Sequence, residues 1–220
     1  MKRRAGAAAV EAVQDGDVVG LGSGSTAAAA IEALGRRVDA GLDVTGIPTS
    51  HQSRSVAIEA GIPLTALDVV DGVDIAIDGA DQEADGTLVK GGGGAHAREK
   101  VVDAAADRFV VVLDRSKPAD LLDIPVPIEV LPDAVAPVKR ALEELGGEPV
   151  LRSATAKSGP VVTDNGNVLL DCDFGEIEDP GSLATDLAAI PGVVAHGLFV
   201  GLADEVIVAG PDGIERRRYG

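Results

Sequence analysis

The first half of the chain repeats one pattern: a short apolar run, a turn of glycine and polar residues, and a stretch that favours helix. The apolar runs predict strands at 18–21, 43–47, 64–67, 74–77 and 109–113, with helices at 3–13, 27–34, 51–60 and 95–106. Strands that alternate with helices form a mostly parallel sheet covered on both faces. We therefore expect a doubly wound α/β fold.

The pattern changes at residues 124–132, where IPVPIEVLP combines three prolines with alternating apolar residues. This composition is typical of an edge strand or of a crossing between domains. We expect a Rossmann-like domain over 1–126 and 200–220, in which a late strand at 205–209 rejoins the sheet. The intervening residues predict a small α+β, ferredoxin-like domain over 127–199, with helices at 134–145 and 180–189, strands at 149–152 and 192–199, and a hairpin at 161–171.

The charge of the chain excludes some partners. Lysine and arginine total 19 against 36 aspartate and glutamate residues, so the net charge is −17. A charge of this sign repels phosphate backbones, and we expect no nucleic-acid partner. The acidic shell, few lysines and many small residues suggest adaptation to high salt.

The sequence predicts a cytoplasmic protein without a metal or a membrane span. Cys172 is the single cysteine, and His51, His96 and His196 lack the spacing of a metal cluster. No apolar run approaches the length of a membrane helix, and the basic start leads into an alanine-rich helix and not into a signal core.

Residues 78–100, DGADQEADGTLVKGGGGAHAREK, concentrate chemistry at the end of a predicted strand. Asp78 and Asp81 follow the strand, Lys90 precedes four glycines, and a predicted helix carrying Glu99 begins after them. A run of glycines allows close approach of backbone to a ligand, and a helix amino terminus favours an anion. We expect the active site here.

Two further polar clusters follow strands. GLGSGSTA places Ser23, Gly24, Ser25 and Thr26 at a predicted helix start, where a phosphate would fit, although a tight strand-to-helix turn explains the loop equally well. The loop lacks both the dinucleotide fingerprint and the nucleotide P-loop ending. The second cluster ends in Lys117. Because parallel strands end at one edge of a sheet, both clusters should meet Asp78–Asp81 in one crevice.

Proton transfer beside a sugar carbonyl is the reaction that suits these groups: two acids, a lysine, a glutamate and a phosphate cradle. Glu99 could move a proton between adjacent carbons while Lys90 stabilises the enediolate oxygen. Asp78 and Asp81 would handle hydroxyl protons and ring opening. In isolation, however, Arg98–Lys100 could be a solvated helix face, the two acids could cap a turn, and Lys117 could be a surface lysine.

Several motifs together resemble type A ribose-5-phosphate isomerase: GLGSGSTA, PTS at Pro48–Ser50, DGADQ, KGGGGAHAREK, DRSK and VTDNGN. The resemblance covers nearly the whole chain. It implies interconversion of D-ribose 5-phosphate and D-ribulose 5-phosphate in the pentose phosphate pathway, without a cofactor, with Glu99 as the base. It also implies a homodimer or homotetramer, and substrate contacts from Ser23, Gly24, Ser25, Thr26, Asp78, Gly79, Ala80, Asp81, Lys90, Gly91, Gly92, Gly93 and Lys117.

The chain departs from the family pattern at three places: Ser23 stands for a frequent threonine, Gln82 for a usual glutamate, and His96-Ala97 for a frequent Leu-Thr. Lys2 or Arg3 could reach the phosphate, or the amino terminus could be frayed. Sugar-phosphate-sensing regulators and coenzyme A transferases share this sheet architecture. A regulator would need a basic DNA-binding helix, which the sequence does not contain, and a transferase would bind coenzyme A.

Overall fold

The computed structural model describes residues 1–156 and 158–219, and these fall into two compact units. The first unit comprises Met1–Ala80, Arg98–Pro118 and Gly201–Gly220, and the second comprises Asp81–Ala97 and Ala119–Val200. The predicted second domain, 127–199, lies within the second unit, which also takes in 81–97 and 119–126. Residues 157 and 220, which belong to the predicted domains, lie outside the described residues.

The first unit is built on a six-stranded sheet. The strands are β1 (Val18–Leu21), β2 (Thr45–Pro48), β3 (Ile75–Asp78), β6 (Phe109–Asp114), β12 (Glu205–Ala209) and β13 (Ile214–Arg218). Their order is β13-β12-β6-β3-β1-β2, and all neighbours are parallel except the β12–β13 pair. The expected Rossmann-like sheet and the late return of β12 are therefore confirmed.

Four helices belong to this sheet: α1 (Lys2–Val10), α2 (Gly24–Asp39), α3 (His51–Glu59) and α4 (His96–Ala104). Val19, Leu21, Ile75 and Ile77 join α1, α2 and α3 residues in one core. The strand residues between these face the opposite side of the sheet. There a Cβ on Gly20 would lie 2.8 Å from a methyl of Val102 on α4. Helices on both faces bury the parallel strands, as doubly wound folds require.

The tail forms an unexpected strand, β13. The three arginines Arg216–Arg218 lie on this antiparallel strand. Arg216 pairs with Glu205 at 3.0 Å, and Arg108 also pairs with that carboxylate. Burial alone would raise the pKa of Glu205, but hydrogen bonds from Arg216 and Arg108 outweigh it and lower the pKa.

The second unit contains the four-stranded antiparallel sheet β10-β7-β9-β8. Its elements are β7 (Val126–Val130), α5 (Val135–Glu144), β8 (Glu148–Leu151), β9 (Val168–Asp173), α6 (Pro180–Ala189) and β10 (Val193–His196). Val126, Ile128 and Val130 share a core with α5 and α6 residues, so both helices cover one face. A second sheet orders β11 (Leu198–Phe199), β5 (Thr87–Val89) and β4 (Gln82–Ala84).

Several local predictions were wrong. β7 lies inside its sheet and not at an edge. Its Pro127 has no N–H to donate to the ladder, and its carbonyl accepts a hydrogen bond from Gly197 N–H at 2.7 Å. The predicted strand at 64–67 is reduced to a bridge between Gly46 and Leu64. The predicted hairpin at 161–171 has a full strand only in β9, and its first arm contributes the bridge between Val162 and Val168.

The turn of that hairpin has a buried anchor. Glu129 is fully buried on β7, and one of its carboxylate oxygens accepts hydrogen bonds from Thr163 (2.9 Å), Asn165 (3.0 Å) and Asn167 (2.7 Å). The two asparagines thus fix the turn to the sheet.

We expect substitution of Gly6 on α1 to destabilise the first unit. A Cβ at Gly6 would lie 2.6 Å from the backbone nitrogen of Ala30 on α2, so Gly6→Leu forces the two helices apart. Overpacking of this kind costs about 1–3 kcal/mol. Ala7→Leu, at an exposed position of the same helix, is the matched control and should change the free energy of unfolding by less than about 0.5 kcal/mol. Equal urea midpoints for both variants would contradict the close helix contact.

Candidate active site

The carboxyl edge of the first sheet gathers the polar clusters of the first unit. β1, β3 and β6 are adjacent and parallel, and they end at Leu21, Asp78 and Asp114. The loops that start with Gly22, Gly79 and Arg115 therefore leave from the same edge. This arrangement brings Ser23–Thr26, Asp78 and Lys117 to one side of the unit, as the sequence predicted.

Asp78 connects two of these strand ends. The side chain is fully buried, and its Oδ1 accepts hydrogen bonds from Ser23 N–H (3.0 Å) and Gly79 N–H (2.6 Å). A Cβ on Gly22 would lie 2.1 Å from the carboxylate, so only glycine allows the β1 loop to approach this closely. The carboxylate thus caps backbone groups, and it does so at the functional edge of the sheet.

The loop after β1 leads directly into α2. Ser23 is the residue before the helix, but its side chain makes no capping bond. Its hydroxyl instead contacts the hydroxyls of Thr49 (2.9 Å) and Ser50 (2.6 Å), which follow β2. The first backbone N–H groups of a helix have no partner within the helix, so they can bind an anion.

Two lysines lie beside this loop. Lys2 Nζ donates to Ser25 Oγ at 2.7 Å. Both Lys2 and Lys117 lie close enough to Asp114 to influence its carboxylate. The Ser116 hydroxyl, opposed in part by burial, lowers the pKa of Asp114, and the two lysine charges lower it further.

Helix α4 places Glu99 at the same edge. Residue 106, just past the helix, bridges Val73 before β3, and Val102 packs at Gly20 in the middle of β1. Glu99 precedes Val102 by three residues, which places it on the same helix face and about 4.5 Å nearer the strand ends. Glu99 is 5% exposed. Its neighbour Lys100 is half-buried, and this desolvation lowers the pKa of Lys100 to about 8.

Lys90 follows β5 in the second unit. The side chain is only 2% exposed, and its Nζ lies 5.3 Å from the centre of the Phe199 ring. Burial of an ammonium group is costly, and buried ionisable groups are frequent at functional sites.

The glycine loop after Lys90 lies against the four-stranded sheet of the second unit. It contacts the face that α5 and α6 do not cover. A Cβ on Gly91 would meet His96 at 2.6 Å and Pro127 at 3.0 Å, and one on Gly94 would meet Leu169 at 3.0 Å. Both glycines have positive φ, 103° and 75°. Gly92 N–H donates to the Asp81 carboxylate at 2.7 Å. The structure thus joins Asp81 to the glycine loop through a direct hydrogen bond.

The hydrogen bonds of Gln82 are directed away from Asp81. Its side chain donates to the Asp123 carboxylate at 2.5 Å and accepts from Asp123 N–H at 2.9 Å. A glutamate at position 82 would face the Asp123 carboxylate with like charge. The side chain that departs from the family pattern therefore contacts the segment 119–126.

Some residues around the site were not predicted. Thr49 and Ser50 form part of the Pro48–Ser50 motif, which could have indicated them, and Gln52 Oε1 accepts from Gly24 N–H at 3.0 Å. Arg152, which contacts the glycine loop, carries no local sequence signal.

Over residues 1–156 and 158–219, no three His, Cys, Asp or Glu side chains form a group that could hold a metal ion. The same residues contain no helix that is both long and apolar enough to span a membrane.

Comparisons with known proteins agree with this geometry. Residues 45–213 match the profile of ribose 5-phosphate isomerase A (phosphoriboisomerase A). Ribose-5-phosphate isomerase A of Natronomonas pharaonis is 64% identical over 98% of this chain and 96% of its own length.

Solved structures extend the likeness to the fold. Ribose 5-phosphate isomerase A from Methanocaldococcus jannaschii is 46% identical, with a TM-score of 0.95 over 99% of this chain and 98% of its own. A D-ribose-5-phosphate isomerase in complex with phospho-erythronic acid is 40% identical, with a TM-score of 0.96 over 99% of this chain and 97% of its own. The chain belongs to the ribose 5-phosphate isomerase A family.

Proposed function

We propose that this chain interconverts D-ribose 5-phosphate and D-ribulose 5-phosphate through an enediol, in the pentose phosphate pathway. The observation that carries the proposal is the buried Glu99 on the α4 face that packs at the sheet edge ending in Asp78. Membership of the family supplies the substrate. Proton transfer between adjacent carbons needs a base and a group that stabilises the enediolate, and the proposed reaction takes both from the chain. It therefore uses no cofactor.

Glu99 is the proposed base. It removes the proton from C2 of the open-chain aldose, and the electron pair forms the C1=C2 bond of the enediolate as charge moves onto O1. The same carboxyl group then returns the proton to C1, while the O2 proton passes to O1, so that O2 becomes the ketone oxygen and O1 the hydroxyl. One residue can serve both steps because the two carbons are adjacent.

Lys90 and the glycine loop are the proposed partners of the enediolate oxygen. A buried ammonium stabilises a developing anion more strongly than an exposed one, because the surroundings screen the charge less. The exposed Gly92 and Gly93 let the backbone approach the sugar.

Asp78 and Asp81 are the proposed partners of the sugar hydroxyls and of ring opening. Both carboxylates have fixed positions, because backbone N–H groups of Ser23, Gly79 and Gly92 bind them. Gly79 and Ala80, which separate the two acids in the chain, are proposed to contribute backbone contacts. Fixed carboxylates can accept hydroxyl protons without first reorganising.

The phosphate is proposed to bind at the start of α2. Ser23, Ser25 and Thr26 supply hydroxyls, and Ser25 and Thr26 also supply backbone N–H groups. Gly24, whose absent Cβ would meet no atom within 4 Å, leaves room for the phosphate, and Lys117 supplies charge. The bond from Lys2 to Ser25 supports a contribution from the amino terminus as well. This cluster of donors would offset the acidity of the rest of the surface.

We also propose that the enzyme acts in the cytoplasm as a homodimer or homotetramer. Its similarity to isomerases from halophilic organisms supports adaptation of the acidic surface to salt. The direct test of the function is an assay of the purified chain with ribose 5-phosphate at several KCl concentrations, with and without chelator. Absence of ketose formation under all conditions would refute the proposal.

Replacement of the base should abolish most of the turnover. For Glu99→Gln we expect kcat to fall by roughly 10²–10⁴-fold, because the amide cannot accept the proton. Circular dichroism and the thermal midpoint check that the fold persists. Glu59→Gln, at an exposed helix position, is the control and should leave kcat unchanged. A Glu99→Gln enzyme with near-normal turnover would assign the base to another residue.

Removal of the buried ammonium should act mainly on the transition state. For Lys90→Met we expect kcat to fall by roughly 10²-fold, about 3 kcal/mol, by analogy with loss of an oxyanion donor. Lys139→Met on α5 serves as the control for loss of one positive charge. If KM rises while kcat stays constant, Lys90 binds the substrate equally in the ground state and is not an enediolate partner.

A further inference from the structure

Arg152 makes a forked contact with the glycine loop. It follows β8, and its side chain is 17% exposed. Its Nη1 donates to the carbonyl oxygens of Gly91 (3.1 Å) and Gly92 (3.0 Å). The rest of the guanidinium binds the Asp171 carboxylate in a bidentate pair, with Nε donating to Oδ2 at 2.8 Å and Nη2 to Oδ1. Asp171 lies on β9, so the sheet fixes the guanidinium.

These contacts help to set where two backbone N–H groups point. The Gly91 carbonyl also accepts from Gly94 N–H at 2.9 Å, whereas Arg152 holds the Gly92 carbonyl. A trans peptide is planar, so the N–H of each residue is directed opposite to the carbonyl of the residue before it. Holding the Gly91 carbonyl directs Gly92 N–H away from Arg152, and that N–H donates to Asp81 at 2.7 Å. Holding the Gly92 carbonyl directs Gly93 N–H away from Arg152 in the same manner.

The loop has a particular need for such a contact. Four consecutive glycines have no side chains to restrict the backbone, so many conformations compete with the functional one. Gly92 and Gly93 are exposed, and a Cβ on Gly93 would meet no atom within 4 Å. The space beside Gly93 is therefore open to a ligand. Side-chain packing does not fix the orientation of the Gly92–Gly93 backbone.

We propose that Arg152, fixed by Asp171, is a positioning residue that orients the glycine loop for the isomerisation. It directs Gly92 N–H to Asp81, and it directs Gly93 N–H to the oxygen that becomes negative in the enediolate. The inference rests on the proposed function for the second of these roles. Arg152 does not itself touch the sugar.

The geometry of the contact favours arginine over lysine. The planar guanidinium can hold a bidentate carboxylate and still donate to two carbonyl oxygens from its remaining nitrogen hydrogens. A lysine ammonium keeps the charge but cannot hold both partners in one plane. Arg152→Lys therefore separates the fixed orientation from the charge.

The kinetic test compares Arg152→Lys and Asp171→Asn with a control of the same chemistry. We expect each variant to lower kcat by roughly 10- to 10²-fold, the scale for misplacement of catalytic groups by about 1 Å, with a smaller change in KM. Because both act through the same contact, the double variant should lose little more than Arg152→Lys alone. Arg108→Lys disrupts the arginine pair to Glu205 in the first unit and should leave kcat within about twofold of the wild type.

A second readout reports the loop directly. Protein labelled with [15N]glycine should show displaced or broadened amide signals for Gly92 and Gly93 in Arg152→Lys, but not in Arg108→Lys. A kcat within about twofold of the wild type in Arg152→Lys, or a lowered kcat with unchanged glycine signals, would overturn the positioning role. If the wild-type chain does not isomerise ribose 5-phosphate, the proposed function fails, whereas the glycine spectra still test whether Arg152 orients the loop.

Discussion

The first unit depends on the hydrogen bonds that one buried carboxylate accepts from the backbone. Asp78 closes β3 and binds the N–H groups of Ser23 and Gly79, so the ends of two adjacent strands are fixed to each other. The contact exists because Gly22 has no side chain. From this junction α2 begins with the Ser23 hydroxyl turned toward Thr49 and Ser50, and with Gly24 N–H donating to Gln52. Asp78 thus fixes two strand ends to each other, and the Ser23 hydroxyl links them to the residues that follow β2.

The second unit also orders a loop through hydrogen bonds between side chains and backbone, but with different residues. There the glycine loop is arranged by groups that contact its backbone: Asp81 on one side, and Arg152 with Asp171 on the other. Both units therefore position backbone N–H groups with ionised side chains. Charged groups form stronger hydrogen bonds than neutral ones, which suits loops that have few side chains of their own.

The sequence was informative where local patterns and tertiary contacts agree. The strands around Val18–Leu21, Ile75–Asp78 and Phe109–Asp114 were predicted because continuous β-branched runs end in glycine or polar residues. The positions of Ser23–Thr26, Asp78 and Lys117 followed from the rule that parallel strands end at one edge.

Other features depend on partners distant in sequence. β4 and β5 are three residues each and turn through Asp85 and Gly86, both with positive φ. Arg152 is one arginine whose partners lie 19, 60 and 61 residues away.

β13 closes the sheet with three consecutive arginines in a strongly acidic chain. An exposed sheet edge can pair with the edge of another molecule, and like charges along it oppose such pairing. Two β13 edges would repel each other through these arginines, while the contacts of Arg216 with Glu205 and Glu11 keep the strand in place. Salt shortens the range of this repulsion to about 3 Å near 1 M. In concentrated brine, chiefly the bulk and hydration of the β13 side chains then oppose pairing with the edge of another molecule.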